Sequence, residues 1–158
     1  MTQTTTSTSS TSGSGESALR RLAVVGAGNM GSGIAQKMAT EGFHVVLVDV
    51  DDEKVARGLR IIETTLADAV SKSILTASDA AAVLARVTGT SQFEDLDNVD
   101  LVVEAVFEDF AIKKDVFRRL DETCRPDAIL ATNTSSYSVT ELAAATRRPE
   151  RVDRKSVV

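Results

Sequence analysis

Short apolar runs recur along the chain, separated by stretches in which apolar residues recur every three or four positions. Strong runs occupy residues 22–25, 44–48, 101–106 and 128–131, and a shorter run of valine and threonine occupies residues 87–90. Runs of this length with almost no charge are typical of strands buried on both faces of a parallel sheet. The pattern therefore predicts an α/β fold built on a doubly wound parallel sheet.

A glycine-rich turn follows the first run, with Gly26, Gly28 and Gly31 in a GxGxxG pattern. These glycines allow a sharp turn out of the strand, close approach of backbone N–H groups to a pyrophosphate, and close packing of the next helix on the strand. The amino end of that helix offers N–H donors and a positive dipole end to phosphates. Asp49 ends the second run, where it can accept hydrogen bonds from a ribose 2′-hydroxyl and repel a 2′-phosphate.

A GxGxxG pattern alone matches many glycine loops by chance. Here the strand, the glycines, the helix, the second strand and the terminal acid follow one another in register, which is the context that the motif requires. The pattern predicts a dinucleotide site and favours NAD over NADP. The alternative is a glycine turn that only closes a βαβ unit.

Two helices are predicted after the second strand, where a simple crossover contains one. An apolar stripe at spacings of three and four predicts a long amphipathic helix of about five turns. The stripe consists of Val55, Leu59, Ile62, Leu66 and Val70. Ser78 and Asp79 are typical of the start of a second, shorter helix that returns to the sheet. We expect a protruding helical hairpin, which is a candidate platform for a bulky substrate.

The remaining candidate chemistry lies where strands are predicted to end. Ligands of an open parallel sheet lie beyond the carboxyl ends of its strands. Residues 26–31, 104–108 and 133–136 lie at three such ends, so we expect these segments to converge on one site. Further helices are predicted around residues 112–120, with Ile112 on the apolar face, and around residues 139–145.

Composition narrows the class of protein. A length of 158 residues suits about one domain, and a net charge of −5 argues against a nucleic-acid surface. The single cysteine, Cys124, rules out an internal disulfide and favours a reducing, cytoplasmic setting. No apolar run approaches the length of a membrane span, about 18 residues. Residues 1–20 are rich in serine and threonine, lack a signal-peptide pattern and are predicted to form a disordered tail.

Several motifs resemble the NAD-binding domain of the 3-hydroxyacyl-CoA dehydrogenase family, which includes 3-hydroxybutyryl-CoA dehydrogenases. They are GAGNMGSGIA at residues 26–35, VEAVFED at residues 103–109, ATNTSS at residues 131–136 and RPERV at residues 148–152. The resemblance covers about residues 21–152 and implies a Rossmann-type fold, NAD as cofactor and a 3-hydroxyacyl-CoA as substrate. Family chemistry is reversible hydride transfer between C3 of an (S)-3-hydroxyacyl-CoA and NAD, in fatty acid or butanoate metabolism. The resemblance also implies a homodimer for the full-length protein.

The resemblance assigns roles to individual residues. Its NAD contacts fall on Gly26, Gly28, Met30, Gly31, Asp49, Glu108, Lys113 and Ser135, and its coenzyme A contacts fall on Thr65 and Lys72. Ser135 is the catalytic candidate, because the family places this residue near both the nicotinamide and the substrate 3-hydroxyl. No metal site is expected.

Four of these assignments have alternatives. Lys72 and Lys113 could be solvated charges on exposed helix faces. Glu108 could simply begin the helix that follows it. Ser135 could be a turn serine that only satisfies nearby backbone groups.

The resemblance ends abruptly after Val152. The family continues into an apolar strand with a catalytic histidine, which would align with Ser156. The only histidine of this chain, His44, begins the second predicted strand and is interpreted as an ordinary strand residue. The family's orienting glutamate and its C-terminal helical domain are missing as well. The chain is therefore predicted to be an inactive N-terminal fragment of such an enzyme.

Residues 153–158, with the sequence DRKSVV, are interpreted as a non-native tail, because the start of a widely used sequencing-library adapter translates to this hexapeptide. The alternative is a real short protein with a charged end. Without a sixth strand, the edge of the strand at residues 128–131 would be unpaired, so we expect a marginally stable, association-prone fragment with weakened NAD affinity. Two other functions stay open, namely a non-catalytic NAD-binding module and a different β-hydroxyacid dehydrogenase.

Overall fold

The computed structural model describes residues 19–154, which fold around a parallel sheet. Within these residues the strands are β1 (Arg21–Val25), β2 (His44–Val48), β3 (Val87–Thr90), β4 (Leu101–Glu104), β5 (Ile129–Thr132) and β6 (Val152–Arg154). Their order is β3-β2-β1-β4-β5-β6 and all neighbours are parallel. This order is that of a doubly wound Rossmann-type sheet, so the predicted fold class is confirmed.

Helices cover both faces of the sheet. They are α1 (Asn29–Thr40), α2 (Asp52–Ser71), α3 (Ala77–Leu84), α4 (Phe110–Thr123) and α5 (Val139–Ala143), with 3₁₀ turns at Phe93–Leu96 and Pro149–Arg151. One apolar cluster lies between the sheet and α4 with α5, and the other lies between the sheet and α1 with α2 and α3. Successive residues of β1 alternate between the clusters, because Val24 belongs to one and Val25 to the other. In this part of the chain no helix is both long and apolar enough to cross a membrane.

The predicted helical hairpin is present, with one boundary shifted. Asp51 caps α2 by accepting a hydrogen bond from the Lys54 N–H at 2.8 Å. The second helix begins at Ala77 and not at Ser78, because the Thr76 hydroxyl caps it by accepting from the Asp79 N–H at 3.0 Å. Threonine is an effective N-cap, and it lies two residues before the start that was predicted.

The prediction that the edge of β5 is unpaired is wrong. Residues 152–154 form β6 and pair with β5, with Leu130 opposite Val152 and Thr132 opposite Arg154. Pairing uses backbone N–H and C=O groups, so charged side chains do not prevent it. Alternation also places Val152 against the core and leaves Asp153 exposed, as suits an edge strand. The other residues of the predicted tails, 1–18 and 155–158, lie outside the described residues.

Candidate functional site

A cleft of about 750 Å³ opens at the carboxyl ends of β1, β2 and β4. The lining includes the glycine turn, Asp49 and residues 105–107. The rest of the lining includes Met30, Val50, Lys54, Phe93, Ile112, Asp115 and Arg119. Residues 133–136 do not line this cleft, but the Thr134 hydroxyl donates a hydrogen bond to Glu108, on the loop that follows residues 105–107. Two of the three predicted strand ends therefore line the cleft, and the third contacts the loop beside it.

The glycine turn has the backbone conformations that its spacing predicts. Gly26 has a φ of +107°, in the region that favours glycine, and a Cβ at this position would lie 2.5 Å from the carbonyl oxygen of Ala105. A Cβ at Gly31 would lie 1.7 Å from the carbonyl oxygen of Gly26, so only glycine lets α1 pack this close. Gly28 has the opposite environment, with no atom within 4 Å of an added Cβ.

Asp49 connects the end of β2 to the glycine turn. Its Oδ2 accepts a hydrogen bond from the Ala27 N–H at 2.8 Å, and its Oδ1 accepts from the Val50 N–H at 2.7 Å. This structural role of Asp49 was not predicted from the sequence. A carboxylate oxygen can accept more than one hydrogen bond, so both oxygens retain capacity for ligand hydroxyls on the cleft side.

Lys113 is buried among acids. Its side chain is 1% exposed, and Nζ lies 2.8 Å from Glu104 Oε1 and 3.3 Å from Glu108 Oε2. The alternative that Lys113 is a solvated surface charge is therefore wrong. The reason is helix register: Lys113 lies on the same face of α4 as the buried Phe117 and Leu120. Ile112, which was predicted to lie on the apolar face, is 46% exposed instead.

Glu104 is a functional candidate that the sequence analysis did not single out. Its side chain is fully buried at the end of β4. Beyond Lys113, it accepts hydrogen bonds from the Val106 N–H and from the Thr132 hydroxyl, each at 2.7 Å. It therefore ties the loop after β4 to the end of β5. An acid inside the otherwise apolar run at residues 101–106 was the signal for this role.

Glu108 lies on the loop before α4, with its side chain 44% exposed. The hydrogen bond from the Thr134 hydroxyl holds the pKa of Glu108 below its usual range; burial opposes this effect and the charge of Lys113 adds to it. The alternative that Glu108 begins the helix is wrong, because Asp109 is the N-cap and accepts from the Ile112 N–H at 3.0 Å.

Ser135 is exposed next to this loop. Its side chain makes no hydrogen bond with any residue of the described range, whereas the neighbouring Thr134 hydroxyl accepts from the Ser136 N–H at 3.2 Å. Backbone groups of the turn are thus satisfied by Thr134, and Ser135 does not have the turn role that was its alternative. Its hydroxyl stays available to a ligand.

Thr65 and Lys72 lie away from the cleft and are exposed, with Thr65 on α2 and Lys72 directly after its last residue. The Thr65 hydroxyl donates to the Ile61 carbonyl at 2.8 Å, and Lys72 Nζ lies 2.7 Å from Asp68 Oδ2. Residues seven apart share one face of a helix. A shallow groove of about 440 Å³ beside Thr65 is also lined by two arginines, Arg57 and Arg60, which the sequence analysis missed.

His44 lies at the amino end of β2, at the edge of the sheet opposite the cleft. It is exposed and lines a small pocket together with Arg20, Arg21 and Arg86. Its position agrees with the interpretation of His44 as an ordinary strand residue.

Known proteins are similar to this chain in sequence and in fold. Residues 21–154 match the family model described as 3-hydroxyacyl-CoA dehydrogenase, NAD binding domain. The 3-hydroxybutyryl-CoA dehydrogenase of Clostridioides difficile is 45% identical over 132 residues, which are 84% of this chain and 47% of that protein.

Solved structures give the same result. The crystal structure of (S)-3-hydroxybutyryl-CoA dehydrogenase PaaH1 from Ralstonia eutropha is similar, with a TM-score of 0.83 and 39% identity over 85% of this chain and 48% of that chain. FadB2 of M. tuberculosis is similar, with a TM-score of 0.84 and 41% identity over the same shares of the two chains. This chain spans about half the length of these relatives. Since the family model matches most of the chain, the protein belongs to the 3-hydroxyacyl-CoA dehydrogenase family, of which it contains the NAD-binding domain.

Proposed function

We propose that NAD binds across the crevice, with its adenosine over β1 to β3 and its nicotinamide over β4 to β6. Each half of a sheet with this strand order binds one mononucleotide. Asp49 marks the adenosine half, because it directly follows β2, and its carboxylate can there accept hydrogen bonds from the ribose hydroxyls. The observation that carries the proposal is the cleft wall formed by Gly26, Gly28 and Asp49, in which Gly28 leaves open space for a phosphate.

Each predicted contact has a place in this arrangement. Gly26 and Gly31 shape the turn, Gly28 and the amino end of α1 face the pyrophosphate, and Met30 covers it from the exposed side of the cleft. Glu108, Lys113 and Ser135 belong to the nicotinamide half. NAD supplies the hydride acceptor when bound, and these residues supply its position and electrostatic surroundings.

The reaction that we propose for the intact protein is reversible oxidation of (S)-3-hydroxybutyryl-CoA to acetoacetyl-CoA, in fatty acid or butanoate metabolism. As hydride leaves C3, the 3-hydroxyl must lose its proton to a general base. Ser135 can hydrogen-bond the 3-hydroxyl, but an ordinary serine hydroxyl is too weak a base to take the proton. His44 lies at the opposite edge of the sheet. We therefore propose that this chain binds NAD and does not turn over substrate on its own.

The exposed face of α2 is the proposed coenzyme A surface. Thr65 and Lys72 share this face, and Arg57 and Arg60 bring further positive charge beside Thr65. Phosphate groups on a bulky ligand are bound well by such basic side chains. Asp68 partly neutralises Lys72 in the structure, so a bound phosphate would compete with that ion pair.

The proposed organisation is an NAD-binding domain over residues 21–152, preceded by a segment rich in serine and threonine and followed by a non-native segment over residues 153–158. Residues 153 and 154 of that segment pair with β5. For the intact protein we propose a cytoplasmic homodimer that binds no nucleic acid.

Two measurements test the proposed function. First, calorimetric titration of the 158-residue chain should detect NAD and should detect NADP only with much weaker affinity, since Asp49 repels a 2′-phosphate. Second, a chimera should join residues 21–152 to the C-terminal half of the Clostridioides difficile relative. The chimera should consume NADH with acetoacetyl-CoA and not with free acetoacetate, whereas the chain alone should consume none.

Each contrary outcome would favour a different hypothesis about the function. Failure of the chain to bind NAD would overturn the proposal as a whole. Turnover of the free acid by the chimera would indicate a different β-hydroxyacid dehydrogenase. NAD binding with an inactive, folded chimera would indicate a non-catalytic NAD-binding module.

A further inference from the structure

The charges in the lining of the cleft are balanced, but those beside it are not. The lining holds two acids and two bases, which are Asp49, Asp115, Lys54 and Arg119. Next to the cleft, where β4 and β5 end, two glutamates share the single ammonium group of Lys113. The side formed by β4 and β5 therefore carries an excess negative charge among the described side chains of this cluster.

The excess charge belongs to Glu108. Glu104 and Lys113 are both buried and 2.8 Å apart, so their charges cancel at short range. Glu108 is farther from Lys113 and half exposed. Asp109 is the next acid along the loop, but it caps α4, where the Ile112 N–H and the positive end of the helix dipole offset its charge. Glu108 thus presents an exposed, unbalanced carboxylate.

The position of Glu108 is held by its neighbours. The Thr134 hydroxyl donates to its carboxylate, and Tyr137 OH lies 3.4 Å from its backbone carbonyl oxygen. Glu104 contributes indirectly: by occupying Lys113 in the interior, it prevents the lysine from fully neutralising Glu108. Glu104 is therefore a positioning residue for the charge at the rim.

The ratio of the affinities for NAD⁺ and NADH depends on such a charge. NAD⁺ and NADH differ by one hydride on the nicotinamide, and that hydride removes the positive charge of the ring. The adenosine, the riboses and the pyrophosphate are common to both forms, so their contributions cancel in the ratio of the two affinities. A carboxylate beside the nicotinamide stabilises the charged ring and does little for the neutral one.

We infer that Glu108 biases this site toward NAD⁺ over NADH. The inference rests on the proposed function, because it needs the nicotinamide to lie over β4 and β5. Weaker retention of NADH suits release of the reduced cofactor after oxidation of a hydroxyacyl substrate. The preference belongs to one side chain and not to the fold as a whole.

The test measures dissociation constants of NAD⁺ and NADH for the full 158-residue chain and three variants. Glu108→Gln keeps the shape and removes the charge, and it should weaken NAD⁺ about two- to fivefold, as expected for a half-exposed charge pair, while NADH affinity stays the same. Glu108→Asp keeps the charge and should retain the preference. The control variant, Glu63→Gln, removes an exposed charge on α2 and should leave both affinities unchanged.

A salt titration of the wild-type chain gives the same information without a mutation. Rising ionic strength screens exposed charges, so the ratio of NADH to NAD⁺ dissociation constants should fall in the wild type and stay level in Glu108→Gln. Equal weakening of both forms by Glu108→Gln, or a salt-independent ratio in the wild type, would overturn the inference alone. Absence of binding by both forms to the wild type would overturn the proposed function and this inference with it.

Discussion

Removing the charge of Glu104 should destabilise the whole domain, because it leaves a buried ammonium without its main partner. Glu104→Gln preserves size and removes the carboxylate that lies 2.8 Å from Lys113 Nζ. Breaking a buried ion pair by removing one partner costs about 3–5 kcal/mol. Glu108 remains 3.3 Å from Lys113, but an exposed partner offsets only about 1 kcal/mol. We expect the free energy of unfolding to fall by about 2–4 kcal/mol, a large part of the total for a domain of this size.

Lys113→Met is the reciprocal variant. It should cost less, because the Glu104 carboxylate keeps its hydrogen bonds from the Val106 N–H and the Thr132 hydroxyl. The double variant Glu104→Gln/Lys113→Met removes both charges and should be more stable than the sum of the single losses predicts, since replacing a whole buried pair is often close to neutral.

Urea unfolding followed by far-ultraviolet circular dichroism measures these differences, and a constant m-value shows that the midpoints can be compared. The matched control is Glu41→Gln, which breaks an exposed ion pair with Lys37 and should leave the midpoint unchanged. A change of less than about 1 kcal/mol in the unfolding free energy of Glu104→Gln, or simple addition of the two single losses in the double variant, would contradict this prediction.

Three further predictions follow from the packing. Gly31→Ala should abolish NAD binding and lower stability, because its Cβ would lie 1.7 Å from a backbone oxygen. Gly33→Ala, on the open side of α1, should be tolerated. Titration of both variants with NAD compares their affinities. Arg148→Met should lower the unfolding free energy by about 3–5 kcal/mol in urea, since Arg148 is buried against Asp121 and helix carbonyls, and Arg147→Met at the exposed neighbour should cost less. Burial raises the pKa of Asp121, but hydrogen bonds from both arginines outweigh it and hold the pKa below its usual range. This contribution to stability is therefore present at neutral pH and lost as pH falls through and below about 3.9. Urea midpoints measured across pH should show this loss in the wild type and a smaller loss in Arg148→Met, in which the hydrogen bonds from Arg147 remain.

The glycine-turn side of the crevice could be predicted from the sequence because its determinants are local. Residues 22–49 form β1, the glycine turn, α1, β2 and the terminal acid without interruption, and each step follows a short-range rule. Gly26 has the positive φ that its place in the turn requires, and Gly31 sits where only glycine fits. What the sequence could not show is the second use of Asp49, because its bond to the Ala27 N–H depends on how two strands are placed side by side.

The other side depends on contacts between distant segments. The burial of Lys113 follows from the phase of α4, which begins after the Asp109 cap, and a shift of one residue in that phase exchanges the environments of Lys113 and Ile112. Likewise, β6 forms because backbone pairing tolerates the charges at residues 153 and 154. Hydrophobic spacing describes which faces are apolar and does not contain these long-range pairings.

The two sides of the crevice therefore differ in whether the same residues determine both ligand binding and the packing of the fold. On the glycine side, the residues that would face the phosphates also determine whether α1 can pack on β1, so a change there disturbs the fold and the ligand together. On the other side the tasks are divided: Glu104 and Lys113 lie in the interior and carry the energetic cost of buried charge, whereas Glu108 and Ser135 are exposed. The exposed pair can change with little consequence for stability. Charge and hydrogen bonding at the proposed nicotinamide end can thus be adjusted while the buried pair keeps the loops in place.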